Sequence, residues 1–106
     1  MKEVKAYVRK DRLDAVVNSL ANIEGLSGTS VNRITGFGRS RGRLRLVDFE
    51  THFKVETVCT DNLMDKVVTA ILQAAHSGQR GDGKIFVSEI NQAFRIQTGD
   101  QLDERP

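Results

Sequence analysis

The chain has no tryptophan, one proline and one cysteine among its 106 residues. A lone cysteine excludes an intramolecular disulfide. Cys59 ends the apolar run that starts at Phe53, and it reads as a buried, inert thiol. A catalytic thiol needs a histidine beside it. The chain has only His52 and His76, and no spacing ties either to Cys59. The same scarcity argues against zinc, because these residues give no ligand pattern. There is no secretory signal and no apolar run long enough to span a membrane, so the cytoplasm is the expected compartment. Arg80-Gly81-Asp82 spells a cell-adhesion tripeptide, which reads as coincidence without an export signal. The net charge of +2 at pH 7 is too small to argue for nucleic acid.

What is present is ordinary for a soluble protein. Hydrophobic residues make up 39% and charged residues 28%, and the length suits one domain with a modest core. Charge is unevenly spread. From Arg33 to Lys54, six basic residues (Arg33, Arg39, Arg41, Arg43, Arg45, Lys54) stand against Asp48 and Glu50. The stretch 100–106 has three acids and one arginine.

Hydrophobic periodicity organises the rest. Val4, Ala6 and Val8 alternate with Lys5, Tyr7 and Arg9, as in a half-buried strand. Asp11 is a helix N-cap candidate. Leu13, Val16, Val17, Leu20 and Ile23 then form one helical stripe, ended by Gly25 and Gly28. Thr29 to Phe37 reads as a strand broken by Gly36, Gly38 and Gly42. Arg43 to Cys59 reads as one long strand or two. Thr60 or Asp61 caps a second helix with the stripe Leu63, Val67, Val68, Ile71, Leu72 and Ala75. A glycine loop follows, then a strand from Lys84 to Ser88, with more extended chain at Ala93 to Ile96. The order β-α-β-β-α-β predicts an α+β, ferredoxin-like sandwich. Residues 1–99 form its single domain, and 100–106 are a polar tail expected to trail free.

Two glycine segments carry the chemistry. Gly78 to Lys84 reads G-x-x-x-x-G-K, most of a phosphate-binding P-loop. Ile85 stands where a P-loop needs Ser or Thr for Mg²⁺, and the segment runs from helix to strand rather than strand to helix. The P-loop reading therefore fails. Its ingredients survive: Gly81 and Gly83 let backbone N–H groups converge on an anion, and Lys84 adds a point charge. A plain glycine turn remains an equal alternative on these residues alone. Gly36-Phe37-Gly38 is similar in kind and weaker, since no helix follows it. Arg39, Arg41, Arg43 and Arg45 recur at every second position, so one continuous strand would place them on one face. Such a stripe serves phosphate or merely guards a solvated edge. Without interleaved aromatics it does not suggest base stacking.

In order along the chain, Gly36-Phe37-Gly38-Arg39, Gly81-Asp82-Gly83-Lys84-Ile85-Phe86-Val87 and Arg95-Ile96-Gln97-Thr98-Gly99 resemble three motifs of the nitrogen-regulatory PII signal-transduction family. These are the start of its T-loop, its B-loop and its C-terminal Arg-Ile-Arg-Thr-Gly. The resemblance spans nearly the whole chain. It implies a homotrimer that binds ATP or ADP, with AMP as a further option, in clefts between subunits. It assigns the phosphates to Gly81, Asp82, Gly83 and Lys84, helped by Arg95. Ser30, Glu56 and Val58 fall around the base, and Gly36, Phe37, Gly38 and Arg39 flank the cleft. It implies a non-enzymatic regulator of a partner protein, a membrane transporter by analogy, with no metal site and Mg²⁺ left open.

Departures from the family pattern carry information too. Only eleven residues separate Gly42 from Lys54, so the T-loop, the family's partner-binding finger, is truncated. Arg41, Arg43 and Arg45 are then the expected partner-binding residues. The modified tyrosine is absent, since the only tyrosine is Tyr7. Ser40 replaces a glutamine that helps hold Mg²⁺ and 2-oxoglutarate, and His52 replaces a lysine that grips 2-oxoglutarate. Gln97 replaces the second arginine of the C-terminal motif. Loss of 2-oxoglutarate sensing and of uridylylation is therefore expected. The alternatives are a weak ATPase in the same cleft and a nucleotide-independent, structural or metal-linked trimer.

Overall fold

The structure, a computed structural model, describes residues 1–34, 37–40, 43–46 and 52–102, and for those between 37 and 46 the backbone alone. Its elements in chain order are β1 (Lys2–Arg9), α1 (Leu13–Ala21), β2 (Thr29–Arg33), β3 (Phe37–Ser40), β4 (Arg43–Leu46), β5 (His52–Cys59), α2 (Met64–Ala75), β6 (Gly83–Glu89), β7 (Ala93–Phe94) and β8 (Gln101–Leu102). Four strands form one sheet in the order β2-β5-β1-β6. Every neighbouring pair in it is antiparallel. This is the ferredoxin-like arrangement the periodicity predicts, with the hairpin β3–β4 inserted between β2 and β5.

Alternation fixes which face of the sheet is covered. On β1, Val4, Ala6 and Val8 are buried, while Lys5, Tyr7 and Arg9 are half-buried on the other face. β5 matches it, with Val55, Thr57 and Cys59 inward. Register aligns Val4 with Thr57, Ala6 with Val55 and Val8 with Phe53, so the two apolar sets meet on one side. Val16 and Leu20 of α1, with Val67, Ile71 and Ala75 of α2, close that side into the core. Each fully buried aliphatic side chain there contributes about 1.5–3 kcal/mol. Cys59 is buried in this core as expected, and burial pushes its thiol pKa up. Among the described residues Thr57 is the buried polar one, and its hydroxyl donates to the Gly28 carbonyl at 2.6 Å. That bond ties the turn after α1 to the sheet.

Several details differ from the sequence reading. Asp11 does not cap α1. A 3₁₀ turn over Lys10–Arg12 leads into the helix, and Asp11 instead takes the Arg9 guanidinium at 3.2 Å. α2 is entered in the same way through Asp61–Leu63. Leu72, expected inside, is 55% exposed, because it lines the open cleft between α2 and β6. Gln101 and Leu102 do not trail free but pair with Phe94 and Ala93. Two backbone bonds close that small hairpin, Arg95 N–H to Asp100 O and Gly99 N–H to Arg95 O, both at 2.8 Å.

The arginine stripe is also corrected. The chain reverses between β3 and β4, and Arg39 pairs with Leu44 while Ser40 pairs with Arg43 and Gly38 with Arg45. Directly opposed residues share a face and neighbours alternate. Arg43 and Arg45 therefore lie on one face of the ribbon and Arg39 on the other. A single strand would have aligned them; a hairpin in the Ser40–Arg43 register does not. Arg41 lies outside the described residues. Among the described residues, no helix is long and apolar enough to cross a membrane.

Candidate functional site

The loop between α2 and β6 is held in shape by its own bonds. α2 ends at Ala75, and His76 leaves the helix in an extended conformation. Gly78, Gly81 and Gly83 then take φ of 83°, 89° and 104°, the left-handed region that side chains avoid. Inside this turn the Asp82 carboxylate accepts the backbone N–H of Ser77 at 2.8 Å and of Gly78 at 2.9 Å. It also accepts the Ser77 hydroxyl. These bonds, led by the hydroxyl, favour the charged form and hold the Asp82 pKa down to about 2. His76 Nδ1 stands 3.9 Å from the same carboxylate.

That pKa makes the lock insensitive to mild acid. A carboxyl depressed in the folded state contributes stability that is fully present above its unfolded value, near 3.8. The contribution is lost as pH falls through about 2. An NMR titration of the Ser77 and Gly78 amide protons should therefore show a midpoint near 2. A midpoint near the ordinary 3.8 would mean that these contacts do not persist in solution.

Two side chains from the sheet fasten the outside of the loop. His52 Nε2 lies 2.8 Å from the Gly81 carbonyl oxygen. The Arg9 guanidinium donates to Gln79 Oε1 at 3.1 Å. Arg9 and His52 are direct cross-strand partners, so both reach the loop from the same end of the sheet. Neither was assigned this contact from the sequence. The signal that could have found them is positional: both sit at strand ends that the ferredoxin-like order brings beside the start of β6.

Lys84 follows the loop on the open face of β6, opposite Tyr7. It is exposed, and its ammonium has no hydrogen bond or ion pair among the described residues. The same holds for the exposed Arg95 guanidinium on the C-terminal hairpin. Tyr7 packs edge-on against Phe86, with ring centres 6.0 Å apart. Ser30 and Glu56 are cross-strand partners on the same open face, and Val58 follows one turn of the pleat away. Glu56 is already engaged by the Lys54 ammonium at 2.9 Å. That bond lowers the Glu56 pKa and raises that of Lys54. A cleft of ≈ 440 Å³ opens between α2 and β6, walled by Val68, Ile71, Leu72 and Ile85 and reaching His76 and Lys84 at the loop.

The structure thus brings Gly81, Asp82, Gly83 and Lys84 into one turn, and sets Ser30 against Glu56 with Val58 along β5. Phe37, Gly38 and Arg39 are in β3, and Arg43 and Arg45 in β4. Gly36, like Arg41, lies outside the described residues. Comparison with known proteins gives these positions a family. The family profile described as "Nitrogen regulatory protein P-II" matches residues 1–100. The chain belongs to the P-II family. Curated P-II proteins agree along almost their full length. The one from Haemophilus influenzae is 39% identical over 111 residues, covering 98% of both chains. The Nostoc punctiforme protein is 41% identical with the same coverage. That of Rhodospirillum rubrum is 42% identical over 108 residues, 95% of this chain and 96% of its own. An alignment of 111 residues exceeds the 106 of this chain, so its P-II relatives hold residues that it lacks.

Proposed function

We propose that this chain is a non-enzymatic regulatory subunit that binds ATP or ADP, in a homotrimer with the nucleotide between subunits, and signals nucleotide status to a partner protein. The observation that carries this reading is the contrast within one loop. Asp82 consumes its bonds on the turn's own N–H groups, while Lys84 beside it stays exposed without a partner among the described residues. A turn that served only to connect α2 to β6 needs the first feature and not the second.

The roles follow from the chemistry. Backbone N–H groups of the turn at Gly81 to Lys84 and the Lys84 ammonium take phosphate oxygens. Asp82 acts by shaping the turn, since a carboxylate at low pKa repels a phosphate. Arg95 adds charge from the C-terminal hairpin. Ser30, Glu56 and Val58 surround the base, and the Lys54–Glu56 pair must open if Glu56 is to bond it. Gly36, Phe37, Gly38 and Arg39 flank the cleft. Nucleotides with different affinities for two arrangements of the short β3–β4 finger shift their populations, and the partner reads the result. Arg41, Arg43 and Arg45 suit an acidic partner surface. The proposed compartment is the cytoplasm, and a transporter is the partner class the family resemblance suggests.

Titration calorimetry with ATP, ADP and AMP tests the reading directly. Saturable binding of at least one nucleotide is expected, and none at millimolar concentration would sink it. Steady ADP production from ATP would instead support an ATPase. In a further arm, 2-oxoglutarate with Mg-ATP should not tighten binding, because Ser40 and His52 replace the side chains that hold it. An ATP-dependent 2-oxoglutarate isotherm would show that these two residues substitute after all.

A further inference from the structure

We propose that His52 is a positioning residue: it straps the loop 77–83 to the first residue of β5 and so couples that loop to the β3–β4 finger that precedes β5 in the chain. The coupling half rests on the phosphate-binding reading above; the strap does not.

The argument starts from one peptide plane. His52 Nε2 lies 2.8 Å from the carbonyl oxygen of Gly81. That carbonyl and the N–H of Asp82 belong to the same peptide unit, which is planar and trans. A donor gripping the oxygen therefore turns the Asp82 N–H toward the opposite side. His52 thus sets the direction of one of the N–H groups that would meet an anion. It also polarises that group, since hydrogen bonds on the two ends of a peptide reinforce each other. Gly81 needs such a hold. Its φ is 89°, and a Cβ built there would meet nothing within 4 Å. Among the described residues no neighbour crowds that side of Gly81. The neighbouring fastening is of a different kind, because Arg9 takes the side chain of Gln79 and leaves the backbone free.

The other end of the strap gives it meaning. His52 opens β5, and only residues 47–51 separate it from β4. Its backbone is held in register by Arg9 on the central strand β1. A shift of the Gly81 peptide on anion binding must either strain the His52 bond or move the imidazole, and the imidazole stands where the finger joins the sheet. The imidazole itself reaches the loop backbone from the sheet.

Hydrogen exchange read by mass spectrometry on the full chain tests both halves. Three proteins are compared: unmodified, His52→Ala and His52→Gln, whose amide nitrogen reaches about as far as Nε2. Without ligand, loss of one hydrogen bond should speed exchange of the 77–83 amides about fivefold in His52→Ala. His52→Gln should restore slow exchange. Equal exchange in the unmodified and alanine proteins would overturn the strap, as would failure of glutamine to restore it. With ATP, the unmodified protein should slow exchange in both 77–83 and 37–46. In His52→Ala, slowing should be confined to 77–83. Undiminished slowing at 37–46 in that variant would overturn the coupling. Absence of ATP binding by the unmodified protein would overturn the nucleotide reading and the coupling with it, and the ligand-free comparison would still decide the strap.

Discussion

Replacing Gly83 by alanine should unfold this protein at far lower temperature. A Cβ at Gly83 would lie 1.6 Å from the Tyr7 carbonyl oxygen and 2.8 Å from its carbon. Both are backbone atoms of the central strand, which cannot swing aside as a side chain would. Gly83 also holds φ of 104°, which costs an alanine roughly 1–2 kcal/mol by itself. Overpacking adds about 1–3 kcal/mol. The sum, roughly 2–5 kcal/mol, corresponds to a fall in Tm of about 10–30 °C for a domain of this size. Gly81→Ala is the control. It has a similar φ with open space around it, so only the conformational part, about 1–2 kcal/mol, applies. Thermal or urea unfolding of the two variants separates the contributions. Equal losses would mean that β6 slides away from Tyr7 at little cost.

The second large effect is on affinity and leaves the fold alone. Lys84→Ala should weaken ATP binding by roughly 1.5–3 kcal/mol, about 10–150-fold, if the ammonium bonds phosphate. Because Lys84 is exposed and unpaired among the described residues, unfolding stability should change by less than about 0.5 kcal/mol. AMP, with fewer phosphates, should lose less than ATP. Calorimetry on the variant checks both points. An affinity equal to that of the unmodified protein would place the ammonium elsewhere. Such results would separate two requirements at adjacent positions: Gly83 for the fold and Lys84 for the proposed nucleotide.

Periodicity was enough to read the sheet and helices, because burial enforces it. Val4, Ala6 and Val8 had to alternate, and Val16 and Leu20 had to share a stripe, for one core to exist. Leu72 shows the limit of that logic. It has the right spacing on α2, yet it faces the open cleft beside the edge strand β6 and stays exposed. The finger was misread for a sharper reason. Arg39, Arg43 and Arg45 look like one stripe by number, and only the pairing register of β3 with β4 reveals that the stripe divides. At the loop, glycine spacing was legible as a turn, and Gly78, Gly81 and Gly83 do take positive φ. The use of Asp82 as an internal lock was not, since a carboxylate in a loop looks the same whether it faces a ligand or its own backbone. His52 and Arg9 were hidden because their contacts with the loop cross 29 and 70 residues of sequence, distances that no local pattern encodes.

The inserted position of the finger makes it an exchangeable part. Its flanking strands β2 and β5 are hydrogen-bonded neighbours from Thr29–Thr57 to Arg33–Phe53, so the sheet closes the gap whatever the chain does in between. Doubling the length of such an excursion costs only about 0.6 kcal/mol of closure entropy. Excursions of quite different length can therefore be grafted between β2 and β5 while the loop 77–83 keeps its own internal bonds. The molecule is built like a fixed handle with a replaceable tip, and a chimera that borrows a longer tip from a relative should fold with nearly the stability of this one.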